Sequence, residues 1–147
     1  IHKYNSDYKL LIVGRGEMES ELKYYVNKNG LNNNITFIGF INHVKLNELL
    51  MESKAMLIDT LQDNNMVSIP ESIVSGTPVI TNSIPTNSYV ISKNKLGITK
   101  DGWNEDDIQE IVKNNDFYVD NCIKFRSRLT NEYSAKQFID LYMDLKS

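Results

Sequence analysis

Apolar residues along the chain fall alternately into short continuous runs and into a spacing of three to four residues, which predicts alternating strands and helices. The runs typical of strands cover residues 8–13, 35–38, 55–58, 79–81 and 96–99. Helical spacing lies between them, over residues 17–29, 44–53, 68–75 and 85–92. Strands that alternate with helices pair in parallel through right-handed crossovers, so this order predicts an α/β fold with one parallel sheet and helices on both of its faces. The first run is apolar almost throughout, which favours a strand buried on both faces.

The last third of the chain has mainly helical patterning. Helices are predicted over residues 104–113, 117–129 and 134–145. Asn104 suits the cap of the first helix, and Ser134 with Gln137 matches a capping box at the start of the last one. The last helix has an apolar face made of Phe138, Leu141, Tyr142 and Leu145. We expect another surface to cover this face, because an apolar helix stripe normally faces a core.

Composition limits the classes of protein that fit this pattern. With 147 residues, of which 41% are hydrophobic and 24% charged, residues 1–147 suit one soluble globular domain. The net charge of −3 gives no electrostatic reason to expect nucleic acid as a partner. No apolar run approaches the roughly 20 residues of a membrane-spanning helix. The single cysteine, Cys122, excludes a disulfide framework and favours a reducing, cytoplasmic compartment.

The stretch from residue 57 to residue 80 has the clearest pattern of a binding site. A buried strand is followed by a polar loop over residues 59–67, a short helix and a second buried strand. Gly76 suits the left-handed position that ends a helix, and Pro78 prevents its continuation. The first amides of a helix have no internal partners, so a loop that runs into this end can bind an anion, most often a phosphate.

Two carboxylates, Asp63 and Glu71, bracket the end of this loop with seven residues between them. With the loop folded back, both would point into one crevice at the carboxyl edge of the sheet. An acidic pair beside phosphate-binding amides suits a nucleotide sugar, because carboxylates bind ribose and hexose hydroxyls. The alternative is purely structural: Ser68 and Glu71 also match a capping box, in which Glu71 caps its own helix.

Three other motifs favour structural interpretations. Gly14 and Gly16 follow a strand, as the first two glycines of a dinucleotide-binding fingerprint do. Glu19 stands where the third glycine of that fingerprint would be, so a plain turn between strand and helix is favoured. The acidic run at residues 105–107 favours the first turn of a capped helix over a metal site. His2 and His43 have no suitably spaced partners, so no metal site is predicted.

Four segments together resemble the C-terminal, donor-binding domain of a GT-B glycosyltransferase, most closely the retaining family whose signature is E-x7-E (glycosyltransferase family 4). The segments read LLIVGRGEMESEL, ITFIGFINHVKLNELLMESKAMLIDTL, DNNMVSIPESIVSGTPVI and EYSAKQFIDLYMDL. They resemble, in order, the family's Gly-x-Gly turn, its F-x-G loop with the strand that leads to the site, its acidic pair with the G-x-P-V-I strand, and its closing helix. The resemblance implies a Rossmann-like domain that forms the C-terminal half of a GT-B fold.

The resemblance also implies residue roles. Asp63 would be the catalytic residue that faces the transferred sugar, and Glu71 would hold the ribose hydroxyls. The substrate would also meet the backbone around Asn64, Asn65, Met66 and Val67, and its base would meet the loop at Phe40 and Ile41. The chain departs from the family in two places: Asp63 is one methylene shorter than the usual Glu, and Asn64-Asn65-Met66 replaces a glycine-rich segment.

The implied activity is transfer of a hexose from a nucleotide diphosphate donor with retention, in the synthesis of a bacterial-type surface glycan. No metal or other cofactor is expected, because amides and a basic pair that precedes Ile1 would stabilise the leaving diphosphate. The last helix, over about residues 134–146, would cross toward a missing N-terminal acceptor domain, and any membrane contact would come from that domain. Two alternatives stay open: a nucleotide-sugar epimerase of GT-B fold, and a non-catalytic nucleotide-binding or interaction module.

Overall fold

The computed structural model describes residues 7–145. Five strands alternate with helices in the predicted order, and every strand pair is parallel, which confirms the α/β class. The strands are β1 (Leu10–Val13), β2 (Ile35–Gly39), β3 (Met56–Leu57), β4 (Val79–Thr81) and β5 (Gly97–Thr99). They form two sheets within the described residues, in the orders β1-β2 and β3-β4-β5, whereas the sequence predicted one sheet. The difference arises because, among the described strands, hydrogen bonds along β1 reach only β2 and those along β3 reach only β4.

Seven α-helices accompany these strands in the described part of the chain. They are α1 (Glu19–Lys28), α2 (His43–Glu52), α3 (Ser68–Val74), α4 (Ser88–Asn94), α5 (Glu105–Lys113), α6 (Asn115–Phe125) and α7 (Asn131–Asp144). A 3₁₀ turn, Arg126–Leu129, separates the last two. The chain divides into two compact units, of which the first ends at Leu46 and the second begins at Asn47.

The first unit contains β1, α1 and β2. Leu10 pairs with Ile35, and Val26 is the buried residue of α1. The prediction that β1 is buried on both faces was wrong, because Leu11 and Val13 are exposed among the described residues. Successive side chains of a strand point to opposite sides, so one face of β1 is sheltered and the other is not.

The second unit holds the three-stranded sheet and its core. Ile58, at the end of β3, donates its amide to Ile80 of β4 at 2.8 Å and is buried. The buried core cluster consists of Ile58, Ile69, Ile73, Val79, Ile91, Leu96 and Cys122. Ile69 and Ile73 are four residues apart in α3 and therefore lie on the same face of that helix. This packing holds α3 against the sheet.

Several helix boundaries follow the predicted signals. Gly76 has a φ of 84° just after α3, as expected for a left-handed helix end. Asn104 caps α5, and Asp107 completes a capping box with it. In contrast, α4 begins at Ser88, three residues later than predicted, because a turn from Ser88 to Pro85 precedes it.

The predicted capping box at Ser134 was wrong. Thr130 is the cap of α7, and its hydroxyl accepts the amide of Tyr133 at 3.2 Å. Ser134 lies inside the first turn, where its amide donates to the carbonyl of Thr130. Thr130 and Ser134 both have side chains that suit a helix cap. The helix begins directly after Thr130, so Ser134 lies within it.

The apolar face of α7 is exposed within the described residues, with 73% of Phe138 and 79% of Leu145 accessible to solvent. No helix in the described range, residues 7–145, has both the length and the apolar character that a membrane crossing requires.

Strands β4 and β5 approach closely at Gly97, which gives a test of the packing. A Cβ on Gly97 would lie 1.9 Å from the carbonyl oxygen of Val79, and the φ of Gly97 is 150°. We expect Gly97→Ala to lower the free energy of unfolding by about 3 kcal/mol or more, because the clash is with backbone. Gly102, with a φ of 65° and open space around it, is the matched control. Gly102→Ala should cost about 1–2 kcal/mol in urea unfolding, and equal losses in both variants would contradict the close approach.

Candidate functional site

The candidate site consists of the connection between β3 and α3, which contains Asp63, and the first turn of α3, which contains Glu71. Val67 occupies the N-cap position of α3 with helical backbone angles, and no side chain caps the helix. Ser68 is the first helical residue, so the alternative capping box of Ser68 with Glu71 does not form. Glu71 lies in the first turn and is half-buried. Its position therefore remains compatible with a role in binding.

Asp63 lies in the loop that leads to α3. It is half-buried, and its carboxylate forms no hydrogen bond or ion pair with any residue that the structure describes. A carboxylate that is not engaged by the described residues is available to accept hydrogen bonds from a ligand. Asp63 is therefore compatible with a ligand-binding role.

The backbone of the same loop offers hydrogen-bond donors. The amides of Asn65, Met66 and Val67 donate no hydrogen bond to any other residue in the range 7–145. Asn64, Asn65 and Val67 are exposed, whereas Met66 is half-buried and packs against the core. Successive unpaired amides of this kind attract anionic groups.

The segment that follows β4 holds this loop in place. Thr86 donates both its amide and its hydroxyl to the carbonyl of Asn64, with the amide at 3.0 Å. Asn87 donates its side-chain Nδ2 to the carbonyl of Met66 at 3.0 Å. Two carbonyls of the loop are therefore tied to the neighbouring connection.

Asn82 makes the corresponding contact closer to the sheet. Its Nδ2 donates to Asp59 Oδ1 at 2.9 Å and to the carbonyl of Thr60 at 2.7 Å. The Asn82 side chain is buried, and its Oδ1 accepts no hydrogen bond from the described residues. Half of the Asn82 side-chain amide is therefore unsatisfied. A buried, unsatisfied polar group lowers the stability of the fold, so an asparagine is costly here unless it serves another purpose.

Residues after β5 complete the carboxyl edge of the second sheet. Trp103 donates its indole Nε1 to the carbonyl of Ile58 at 2.9 Å. Asp101 accepts the amide and the hydroxyl of Ser83, both at 2.8 Å. The amide of Ser83, followed by its hydroxyl, holds the pKa of the Asp101 carboxyl below its usual value. Side chains from three consecutive connections therefore meet at the edge where α/β sheets bind ligands.

Sequence reasoning missed Asn82, Thr86, Asn87, Asp101 and Trp103. Asn82 had a usable signal, since it is the first residue after a buried strand and so lies at the carboxyl edge. The others lie in connections whose paths the sequence pattern does not define.

Phe40 and Ile41, predicted to meet the base, lie in the first unit. They follow Gly39, which has a φ of 75° and turns the chain at the end of β2. Phe40 is exposed and Ile41 is half-buried. Their contact with a base stays a prediction.

Other chemical groups of the described residues take no part in the site. A hollow of about 450 Å³ lies beside β5, and its lining includes Gly97, Phe117 and Tyr118 but none of the predicted site residues. Burial raises the pKa of the Cys122 thiol to about 12, so this cysteine is a packing residue rather than a nucleophile. Between residues 7 and 145, no group of three or more His, Cys, Asp or Glu side chains is arranged to hold a metal ion.

Residues 1–132 match the family described as Glycosyl transferases group 1. Because this match covers most of the chain, the chain belongs to that family. It is also 27% identical over 90 residues to an uncharacterized glycosyltransferase of Methanocaldococcus jannaschii, an alignment that covers 61% of this chain and 23% of the relative. The chain thus spans about a quarter of the length of that curated relative.

Solved structures of glycosyltransferases share the fold. TarM of S. aureus superposes with a TM-score of 0.77 and 21% identity, over 98% of this chain and 30% of TarM. WaaG, a glycosyltransferase involved in lipopolysaccharide biosynthesis, superposes with a TM-score of 0.72 and 18% identity, over 91% of this chain and 37% of WaaG. At these identities the likeness shows the fold alone, and the fold agrees with the GT-B domain that the sequence resembles.

The contact between Asp101 and Ser83 predicts a pH dependence. Because the folded-state pKa of Asp101 is lowered, its carboxylate stabilises the protein above the unfolded-state pKa of about 4, and this stabilisation is lost as the pH falls through the folded-state value. Asp101→Asn should therefore be less stable than the wild type at pH 6, and the difference should shrink as the pH is lowered from about 4 through the lowered pKa of the folded protein. Urea unfolding as a function of pH measures both, with Asp120→Asn on α6 as the control for net charge. A difference that stays constant with pH would contradict the assignment.

Proposed function

We propose that this chain is the donor-binding domain of a retaining glycosyltransferase of family 4, a hexosyltransferase that uses a nucleotide diphosphate sugar. The observation that carries the proposal is the arrangement around the loop from β3 to α3. In this loop Asp63 is half-buried, and neither its carboxylate nor the amides from Asn65 to Val67 have a hydrogen-bond partner between residues 7 and 145. The half-buried Glu71 follows the loop. Anion-binding amides between two carboxylates suit a ligand that carries both phosphates and hydroxyls.

Each group has a defined role in the proposed reaction. Glu71 accepts hydrogen bonds from the ribose hydroxyls, and Asp63 faces the transferred sugar as the catalytic residue. The free loop amides donate to the diphosphate and the sugar. Negative charge develops on the leaving diphosphate as the glycosidic bond breaks, so fixed amide dipoles that point at it lower the barrier without a metal ion.

The comparisons support the choice of donor and pathway. A structure of TarM contains UDP, and WaaG takes part in lipopolysaccharide biosynthesis. By analogy, we infer a uridine nucleotide sugar as the donor and a bacterial-type surface glycan as the product. The free, buried Cys122 supports a cytoplasmic location for the reaction, because reducing compartments keep thiols unpaired.

The proposed enzyme also needs an acceptor-binding domain, since this chain covers only 30% of TarM and 37% of WaaG. We infer that α7 docks against that domain through Phe138, Leu141, Tyr142 and Leu145, all of which are exposed. Closure of the two domains would bring acceptor and donor together and exclude water. The donor-binding domain alone should bind the donor weakly and transfer nothing.

Binding measurements on the full enzyme separate the two carboxylates. Glu71→Gln should raise the Kd of UDP and of a UDP-sugar alike by about 10-fold to 100-fold, because charged hydrogen bonds to the ribose are lost. Asp63→Asn should leave UDP binding unchanged and weaken only the UDP-sugar, because its contact is with the sugar. Isothermal titration calorimetry, repeated with GDP and GDP-sugars, measures these effects, and Asp120→Asn on α6 is the control.

Each alternative function gives a different result. Unchanged affinity of Glu71→Gln for both ligands would reject its ribose role. Isomerisation of the hexose without an acceptor would identify an epimerase, and donor binding without any product would identify a binding module.

The proposed docking of α7 can be tested by substitution on its two faces. Phe138→Ala and Leu141→Ala should each lower the free energy of unfolding of the full enzyme by about 1.5–3 kcal/mol, because the partner domain would bury both side chains. Lys136→Ala, on the opposite face of α7, should stay within about 0.5 kcal/mol of the wild type. Chemical unfolding measures these differences, and equal effects on the two faces would argue against docking.

A further inference from the structure

Two carbonyl groups in the connection between β3 and α3 are fixed by side chains from the segment after β4. The carbonyl of Asn64 accepts from the amide and hydroxyl of Thr86, and the carbonyl of Met66 accepts from Nδ2 of Asn87. Resting on the proposed function, we propose that Thr86 and Asn87 are positioning residues that orient the amides of Asn65 and Val67 toward the anionic part of the donor.

The geometry of the peptide bond links each fixed carbonyl to the amide that follows it. In a trans peptide unit the carbonyl of one residue and the amide of the next lie in one plane and point in opposite directions. The carbonyl of Asn64 shares its peptide unit with the amide of Asn65, and the carbonyl of Met66 shares its unit with the amide of Val67. Fixing each carbonyl toward the segment after β4 therefore turns both amides away from that segment. These two amides are among those that donate to no described residue.

The side chain of Asn87 is itself only partly satisfied by hydrogen bonds from the described residues. Its Oδ1 is shielded from solvent and accepts no hydrogen bond from residues 7–145, so only half of the side-chain amide is satisfied. A leucine of similar shape would avoid this penalty, but among the described residues it would leave the Met66 carbonyl with the amide of Ile69 as its one donor. The bond from Nδ2 to the Met66 carbonyl is therefore what the asparagine contributes at this position.

Thr86 and Asn87 make no contact with the donor in this arrangement and act through the peptide units that they hold. An amide that is already oriented before negative charge develops stabilises that charge more strongly, because no reorientation is needed during the reaction. Loss of either side-chain bond would leave each carbonyl with one backbone donor, the amide of Thr86 or of Ile69. The peptide unit would then be held less firmly, and affinity for the diphosphate would fall while the fold is kept.

The experiment compares Asn87→Leu with Asn121→Leu in the full enzyme. Asn121 makes the same kind of bond, from its Nδ2 to the carbonyl of Lys95 at 3.1 Å, in a part of the second unit that contains none of the proposed site residues. Asn87→Leu should raise the Kd of UDP by about 10-fold and leave the Kd of uridine unchanged, because only the phosphates meet the oriented amides. Asn121→Leu should leave both constants unchanged, and the unfolding midpoints of Asn87→Leu and Asn121→Leu should fall by similar amounts, because each variant removes one hydrogen bond to a backbone carbonyl.

Two substitutions at Thr86 provide a second test, in which one should weaken UDP binding and the other should restore it. Thr86→Val removes the hydroxyl but keeps the backbone amide bond to Asn64, so a smaller increase in the Kd of UDP is expected, about 3-fold. Thr86→Ser restores the hydroxyl and should restore the wild-type value.

The outcomes separate the positioning role from the proposed function. If the wild type binds neither UDP nor GDP, the proposed function fails and the positioning role fails with it. If the wild type binds UDP and Asn87→Leu binds it equally well, the positioning role alone is overturned. A parallel loss of UDP and uridine affinity would also overturn it, because the effect would then be general to the pocket.

Discussion

The hydrogen bonds between neighbouring connections at the carboxyl edge of the second sheet are the constraint on which the candidate site depends. The strands themselves are short, and β3 has only two residues. Asn82 ties the end of β3 to the end of β4, and Asp101 ties the segment after β4 to the one after β5. Without these bonds the loop from β3 to α3 would have few contacts to fix its path, since most of its side chains are exposed.

These bonds also determine which polar groups remain for a ligand. The carbonyls of Thr60, Asn64 and Met66 are satisfied by side chains from the second connection, whereas several amides of the same loop are not satisfied within the described residues. A loop with satisfied acceptors and free donors is suited to an anion rather than a cation. This asymmetry and the two half-buried carboxylates agree with the nucleotide-sugar donor proposed above for a member of this glycosyltransferase family.

The fold alone would not have led to this conclusion, because layered α/β folds carry many activities. The family match and the resemblance of the acidic pair support the proposal of sugar transfer, and the loop contacts support the proposed way of holding the donor. The exposed apolar face of α7 belongs to a different part of the proposed mechanism, the meeting of donor and acceptor domains.

The amino-acid sequence by itself determined the order and type of the elements. Apolar periodicity predicted all five strands, and local signals such as Gly76 after α3 and Asn104 before α5 placed helix ends correctly, because a turn or a cap depends on a few adjacent residues. The division into two sheets and the hydrogen bonds from Thr86 and Asn87 to the loop between β3 and α3 were decided by tertiary structure alone. The physical reason is the same for both. Hydrogen bonds between residues distant in sequence depend on where the chain places its backbone groups in space, and no local pattern of residues records that placement.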